Sequence, residues 1–358
     1  MTRGRFGSLD GLRALSILSV VVFHASRGGL GAWSAQLAVG VSVFFAVSGF
    51  LITTLVLRER DRTGEVDLRA FYARRALRIF PLYYGVLALY VCIVYAVERD
   101  PYRSEFFAHL PAYATYTSDW FVRFDPGRRV VFYFAWSLAT EEQFYLVWPS
   151  VERRLPGHLA PGLLAVALAL VQPAVVWAGL DGGALVYRVL ASVAPPVCLG
   201  VALAHLLHAS ERARRTFATP WLSPACAALL VATLARFDHA SLVVAVVVTL
   251  LVGSCVASES HALARALAWR PIASIGQVSY GIYLLHMLAS NAVERAAPHL
   301  PLAAKLPAVV ALSWGAAWVS FNTYEKWFMD RKARFQVAPV RADVGSETFL
   351  PSLKNEVR

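Results

Sequence analysis

Arg13 and His24 are the residues of this 358-residue chain whose types and spacing point first to chemistry. They lie eleven positions apart in an apolar stretch that reads as a helix. At about 100° per residue the interval ends roughly 20° past three full turns, so both side chains leave one face, about 16 Å apart along the axis. A central charge in a bilayer helix costs about 2.5 kcal/mol or more, so such a pair belongs inside a bundle. A histidine held there suits general-base work on a hydroxyl acceptor. Arg13, three turns away, suits an anionic donor group or an acidic partner. The plainer alternative is an arginine snorkelling at the interface and a histidine bonded to a neighbouring helix.

A second polar group sits in Trp136-Ser137-Leu138-Ala139-Thr140-Glu141-Glu142-Gln143-Phe144-Tyr145. Adjacent helical residues diverge by about 100°, so Glu141 and Glu142 face different partners. Ser137 and Glu141 share a face, and Glu141 is expected to pair with His24, fixing its tautomer or its charged form. A polar patch joining helices is the alternative. Arg74, Arg75 and Arg78 precede an apolar run entered at Pro81, with Arg75 and Arg78 on one helical face. Guanidinium groups at that boundary suit phosphate, or serve as ordinary basic anchors to anionic lipid. Ser48-Gly49 gives a close approach for a helix or an acyl chain. Ser279, Tyr283 and His286 make a polar stripe that should face the interior, where His286 either contacts substrate or is a satisfied structural histidine. Glu325 is expected to pair locally with Lys326.

These residues need a membrane bundle to position them. The chain is 58% hydrophobic and 16% charged, with a mean hydropathy of +0.53, more apolar than soluble domains. The apolar runs are continuous rather than alternating, which excludes a barrel. The expected fold is all-α, a polytopic helical membrane protein with about ten spans near 11–28, 36–57, 79–97, 131–150, 160–179, 184–207, 221–236, 240–257, 273–293 and 303–325. The seventh and eighth could be one broken pair around Arg236-Phe237-Asp238-His239. The first is expected to be an uncleaved span, because Arg13 enters the run and no clear cleavage site follows.

The net charge of +11 invites a nucleic-acid reading, but the arginines fall between apolar segments, most of them in the stretches that an even span count places with the termini. That asymmetry puts both termini in the cytoplasm. No nucleic acid is therefore expected as a partner. Residues 1–10 read as a cytoplasmic segment, 11–329 as the membrane domain, about 98–130 as a folded external loop capping the bundle, and 330–358 as a disordered cytoplasmic tail. Cys92, Cys198, Cys226 and Cys255 lack paired metal spacing and read as buried small hydrophobes; no metal is expected.

In this order the motifs resemble the acyltransferase family 3 of membrane proteins, from about Ser8 to Trp327. The carriers are Leu9-Asp10-Gly11-Leu12-Arg13-Ala14 with His24, Phe45 to Leu51, Arg74 to Pro81, Trp136 to Tyr145, and Ser279 to His286. The resemblance implies transfer of an acyl group, often acetyl, from cytoplasmic acyl-coenzyme A to a hydroxyl of a surface glycan, lipid-linked glycan or glycosylated metabolite. It implies no permanently bound cofactor and a multi-pass protein of the bacterial inner membrane, in contact with lipid. His24 and Arg13 would be the catalytic pair, with Glu141 closing the site. Arg75, Arg78 and Arg74 would meet the donor's phosphates, and Ser48, Ser137, Glu142, Tyr283 and His286 would line the substrate. Met287 stands where a proline commonly follows the histidine, and Glu325-Lys326-Trp327 lacks the proline often found after the glutamate. The stand-alone form, without a fused hydrolase-like domain, is expected. A transporter or flippase is the competing class, against which stands the lack of inverted internal symmetry. A non-catalytic partner in glycan assembly would make His24 and Glu141 dispensable.

Overall fold

A computed structural model of the chain describes residues 7–26, 29–31, 33–123, 129–155, 157–258 and 261–335. Residues 1–6 of the expected N-terminal segment, 124–128 of the expected loop and 336–358 of the expected tail lie outside the described residues. Within them the fold is helical, without a strand. The elements that frame the site are α1 (Gly7–Ser26), α2 (Val39–Thr63), α3 (Leu68–Val97), α4 (Tyr102–Ala114), α5 (Ala135–Arg154), α6 (Pro195–Ala209), α7 (Leu242–Ala257), α8 (Arg270–Gln277), α9 (Ser279–Ala296) and α10 (Leu302–Ser320).

Among the described residues, five helical segments are long and apolar enough to cross a bilayer, and up to eight if each of three bent pairs is one crossing. The bent pairs are Leu185–Ala191 with α6, Glu211–Phe217 with Leu222–Leu234, and α8 with α9, the last turning by 74°. Two stretches expected to span are helices of another character. The polar α5 carries Glu141, Glu142 and Glu152, and α7 has 16 residues, about 24 Å of helix against a hydrocarbon core of about 30 Å.

Helix α1 occupies the centre, packed against α2, α7, α8, α9 and α10. Small residues permit this. A Cβ on Gly11 would stand 2.2 Å from the Leu267 carbonyl oxygen, and one on Gly276 would stand 1.7 Å from that of Asp10. Backbones this close leave no room for a side chain, the same device that lets membrane helices cross tightly. Gly49 and Gly200 do the same where α2 meets α6. The ridge of small residues fixes the rotation of α1, and with it where Arg13 and His24 point.

The stretch after α3 folds back along it. Tyr83 Oη donates to the Tyr113 carbonyl at 2.7 Å and Tyr84 Oη to that of Ala114 at 2.9 Å. Tyr116 stacks on Tyr83 with centroids 4.2 Å apart. Tyr83 lies fourteen residues before the end of α3, about 21 Å along the axis, so this segment is inserted beside the bundle rather than laid across its end. It brings Asp119 to α5, where Gln143 Nε2 donates to Oδ1 at 2.8 Å and Thr140 Oγ1 to Oδ2 at 3.3 Å.

Burial pushes the Asp119 carboxyl up to about 6, partly offset by those hydrogen bonds. The folded state then keeps its proton to higher pH than the unfolded chain, so stability contributed by the neutral form is full below about 4 and falls until about 6. Asp119→Asn is expected to raise the melting temperature of detergent-solubilised protein by a few degrees above pH 6, with no gain below pH 4. A thermal-shift series across pH checks this.

Residues 330–335 form a short 3-10 helix against α3, with Arg74 Nη1 donating to the Phe335 carbonyl at 2.8 Å. The ordered tail therefore begins as part of the bundle. Glu325 does not pair with Lys326. Ser320 Oγ donates to it at 3.1 Å and it is buried, while Lys326 Nζ reaches Asp330 at 3.4 Å. Neighbouring helical residues point apart, and the π-helical turn Phe321–Glu325 rotates Glu325 inward. Three cysteines are buried as expected, but Cys92 is exposed on the outer face of α3.

Candidate active site

A cavity of about 820 Å³ lies between α1, α2, α3, α5 and α9. Charged residues line one end: Arg58, Glu59, Asp61, Arg62, Arg74 and Lys332. Deeper in come Arg13, Arg75, Arg78, Ser48, Glu141, Glu142 and Tyr145, and at the far end Phe44, Ser137 and Tyr283. Among the sequence-predicted residues, the fold thus brings together Arg13, Ser48, Arg74, Arg75, Arg78, Ser137, Glu141, Glu142 and Tyr283 around one space.

The arginines there differ in commitment. Arg74 is largely spoken for, by Glu59 at 2.7 Å and the Phe335 carbonyl. Arg75 lies with its guanidinium 3.1 Å from the Tyr145 ring centroid and 3.9 Å from Glu141. Its Nε is buried without a partner. Arg13 and Arg78 make no ion pair or side-chain hydrogen bond among the described residues. Three guanidinium groups share the cavity with Glu141 and Glu142, and Asp10 and Glu325 also attract them; a bound anion would relieve the repulsion that the arginines exert on one another.

Glu141 does not reach His24. Its partners are Ser48 Oγ and Tyr145 Oη, both donating, together with Arg75. The reason is helical register: α5 starts level with His24 and runs back toward Arg13, and Glu141 lies two turns along it, about 10 Å further down. The carboxylate therefore sits at the level of Arg13.

His24 occupies a separate layer and does not line the cavity. Its Nδ1 meets Tyr133 Oη at 2.5 Å, and its ring stacks on that of His286 with centroids 5.1 Å apart. His286 is 1% exposed. Its Nδ1 donates to the Tyr283 carbonyl at 2.5 Å, while its Nε2 is buried without a partner. Between this layer and the cavity stands Tyr283, which donates to the Phe134 carbonyl at 3.1 Å and bonds Ser137 Oγ at 2.5 Å. Phe44 packs on Tyr283. The stripe Ser279, Tyr283, His286 does face inward, but its members serve different layers.

Sequence reasoning missed three aromatic residues here. Tyr145 follows Glu141 by one turn, so helical spacing could have found it. Tyr280 lines the cavity and donates to the Ile79 carbonyl at 3.1 Å. Tyr133 lies in the turn before α5, where no periodicity signals a contact.

A family profile described as an acyltransferase domain matches residues 6–324. The chain is 29% identical to YrhL of Bacillus subtilis over 318 residues, 78% of this chain and 47% of that relative. It is 34% identical over 158 residues to the peptidoglycan O-acetyltransferase OatA of Listeria monocytogenes, covering 40% of this chain and 23% of the relative. To the O-acetyltransferase OatA of Staphylococcus aureus it is 32% identical over 177 residues, 46% of this chain and 27% of the relative. The chain spans less than half the length of each of these relatives. No solved structure matches it. By the extent of the profile match, this chain belongs to the acyltransferase 3 family.

Proposed function

We propose that the chain is a multi-pass membrane O-acyltransferase that takes an acyl group, acetyl in the first instance, from acyl-coenzyme A to a glycan hydroxyl. The relatives named for peptidoglycan O-acetylation make a cell-wall glycan the first acceptor to test. The observation that carries this reading is the cavity itself, cationic through Arg13, Arg75 and Arg78 and ending against Tyr283 below His24. Its charged mouth would face the cytoplasm of a bacterial cell, with both termini on that side.

In this reading the donor's phosphates lie among Arg75, Arg78 and Arg13, and its thioester points toward Phe44 and Tyr283. The Tyr283 latch must swing aside for the acyl group to reach the imidazole layer. His24 Nε2 then takes the acceptor's hydroxyl proton as the oxygen attacks the thioester carbonyl. Collapse of the tetrahedral intermediate breaks the carbon–sulfur bond, and the imidazolium returns the proton to the departing thiolate. Ser48 is held by Glu141 and Ser137 by Tyr283, so both hydroxyls serve to shape the cavity wall.

The test uses full-length protein in nanodiscs with acetyl-coenzyme A and muropeptides from lysozyme-digested cell wall. Free thiol should appear in step with O-acetylated muropeptide. If coenzyme A does not bind and no thiol is released, the reading fails.

A further inference from the structure

Tyr133 is a buried-site phenol to which the mechanism gives no part. Its hydroxyl touches two atoms: His24 Nδ1 at 2.5 Å and Met287 Sδ at 3.7 Å. The phenolic hydrogen can serve only one of them. If it is given to Nδ1, the neutral His24 ring must carry its own proton on Nε2. If it is given to the sulfur, the phenolic oxygen accepts Nδ1–H and Nε2 keeps its lone pair. Which nitrogen of a histidine is protonated follows from the bond that the other makes. Among the described residues no carboxylate bonds His24 to decide it, because Glu141 lies a layer away.

The local backbone supports a built arrangement. Phe132, next to Tyr133, has φ +64°, a conformation that bulky residues seldom adopt. It is held there by aromatic contacts with Tyr90, Tyr113 and Phe134 at centroid distances of 4.8 to 5.3 Å. Strain of this kind, fixed by surrounding packing, gathers at functional sites. Here it aims one hydroxyl at one imidazole.

We propose that Tyr133 is a positioning residue, which accepts Nδ1–H of His24 while its own hydrogen rests on Met287 Sδ, leaving His24 Nε2 as the proton acceptor. A phenol and a thioether thereby take the part that a carboxylate plays in orienting other catalytic histidines. The proposal rests on the acyltransferase reading, and its first readout is independent of turnover.

Full-length protein carrying 15N-histidine in nanodiscs is examined by NMR, with His24→Gln identifying the His24 signals. A directly bonded proton on Nδ1 is expected in the wild type, moving to Nε2 in Met287→Leu, where sulfur no longer competes for the phenolic hydrogen. In the muropeptide assay, Met287→Leu should lower kcat about tenfold, as the competent tautomer becomes the minor one. Tyr133→Phe should lower it roughly ten- to a hundredfold, the usual cost of removing an orienting partner. The KM for acetyl-coenzyme A should stay within about twofold in both, because neither residue lines the cavity. A wild-type proton on Nε2, or an unchanged tautomer and kcat in Met287→Leu, would overturn the proposal. Absence of transfer by the wild type would instead count against the acyltransferase reading, with the tautomer still deciding the present one.

Discussion

His24→Ala is expected to lower acyl transfer by about 10²- to 10⁴-fold, the range for loss of a positioned general base, while leaving coenzyme A affinity within about twofold. The two parts of this result have different structural causes. The imidazole sits between Tyr133 and His286, above the Tyr283–Ser137 latch, and the donor's phosphates are proposed to lie among arginines that it does not touch. Removing the ring therefore removes proton transfer without emptying the cationic pocket. His286 cannot readily replace it, because it is buried behind the missing ring. Isothermal titration with coenzyme A and initial rates of thiol release measure the two parts. A folded His24→Ala protein that acylates at the wild-type rate would remove the base from the mechanism.

Arg78→Ala should weaken coenzyme A binding by about ten- to a hundredfold, in keeping with about 1.5–3 kcal/mol for a hydrogen bond to a charged group. It should do so without lowering the melting temperature of the ligand-free protein. Arg78 makes no ion pair among the described residues and faces Arg13 and Arg75, whose repulsion outweighs the attraction of Asp10 and Glu325, so its truncation relieves repulsion on balance. Arg75→Ala should weaken binding comparably yet also destabilise the protein, because Glu141 and the Tyr145 ring lose the cation that sits on them. Titration and thermal unfolding of both variants separate these outcomes. Equal destabilisation, with coenzyme A affinity unchanged, would make the cluster a packing element rather than a donor site.

The positions of α1, α2, α3 and α10 were legible because each is a long apolar run, whereas the polar α5 and the broken pair of α8 and α9 were read as plain spans. The helical face shared by Arg75 and Arg78, and the cavity-facing side of Ser137 and Glu141, followed from spacing along one element. The pairing of Glu141 with His24 did not, because it depended on how far α5 slides against α1. That offset is set by the packing of α5 on α2 and on the inserted segment that carries Asp119. Tyr133 was beyond reach for a related reason: it is aimed by a non-helical turn whose shape comes from packed aromatic rings. Periodicity reports which residues share a face; it carries nothing about the level at which two helices meet.

The latch of Tyr283 against Ser137 and the Phe134 carbonyl has a consequence for the cell that hosts the protein. With that hydroxyl pair closed, the hollow below His24 ends at Tyr283 and Ser137 among the described residues. If the proposed transfer joins a cytoplasmic donor to an acceptor on the other side, such a closure would let the protein sit in an energised bilayer without short-circuiting the proton gradient.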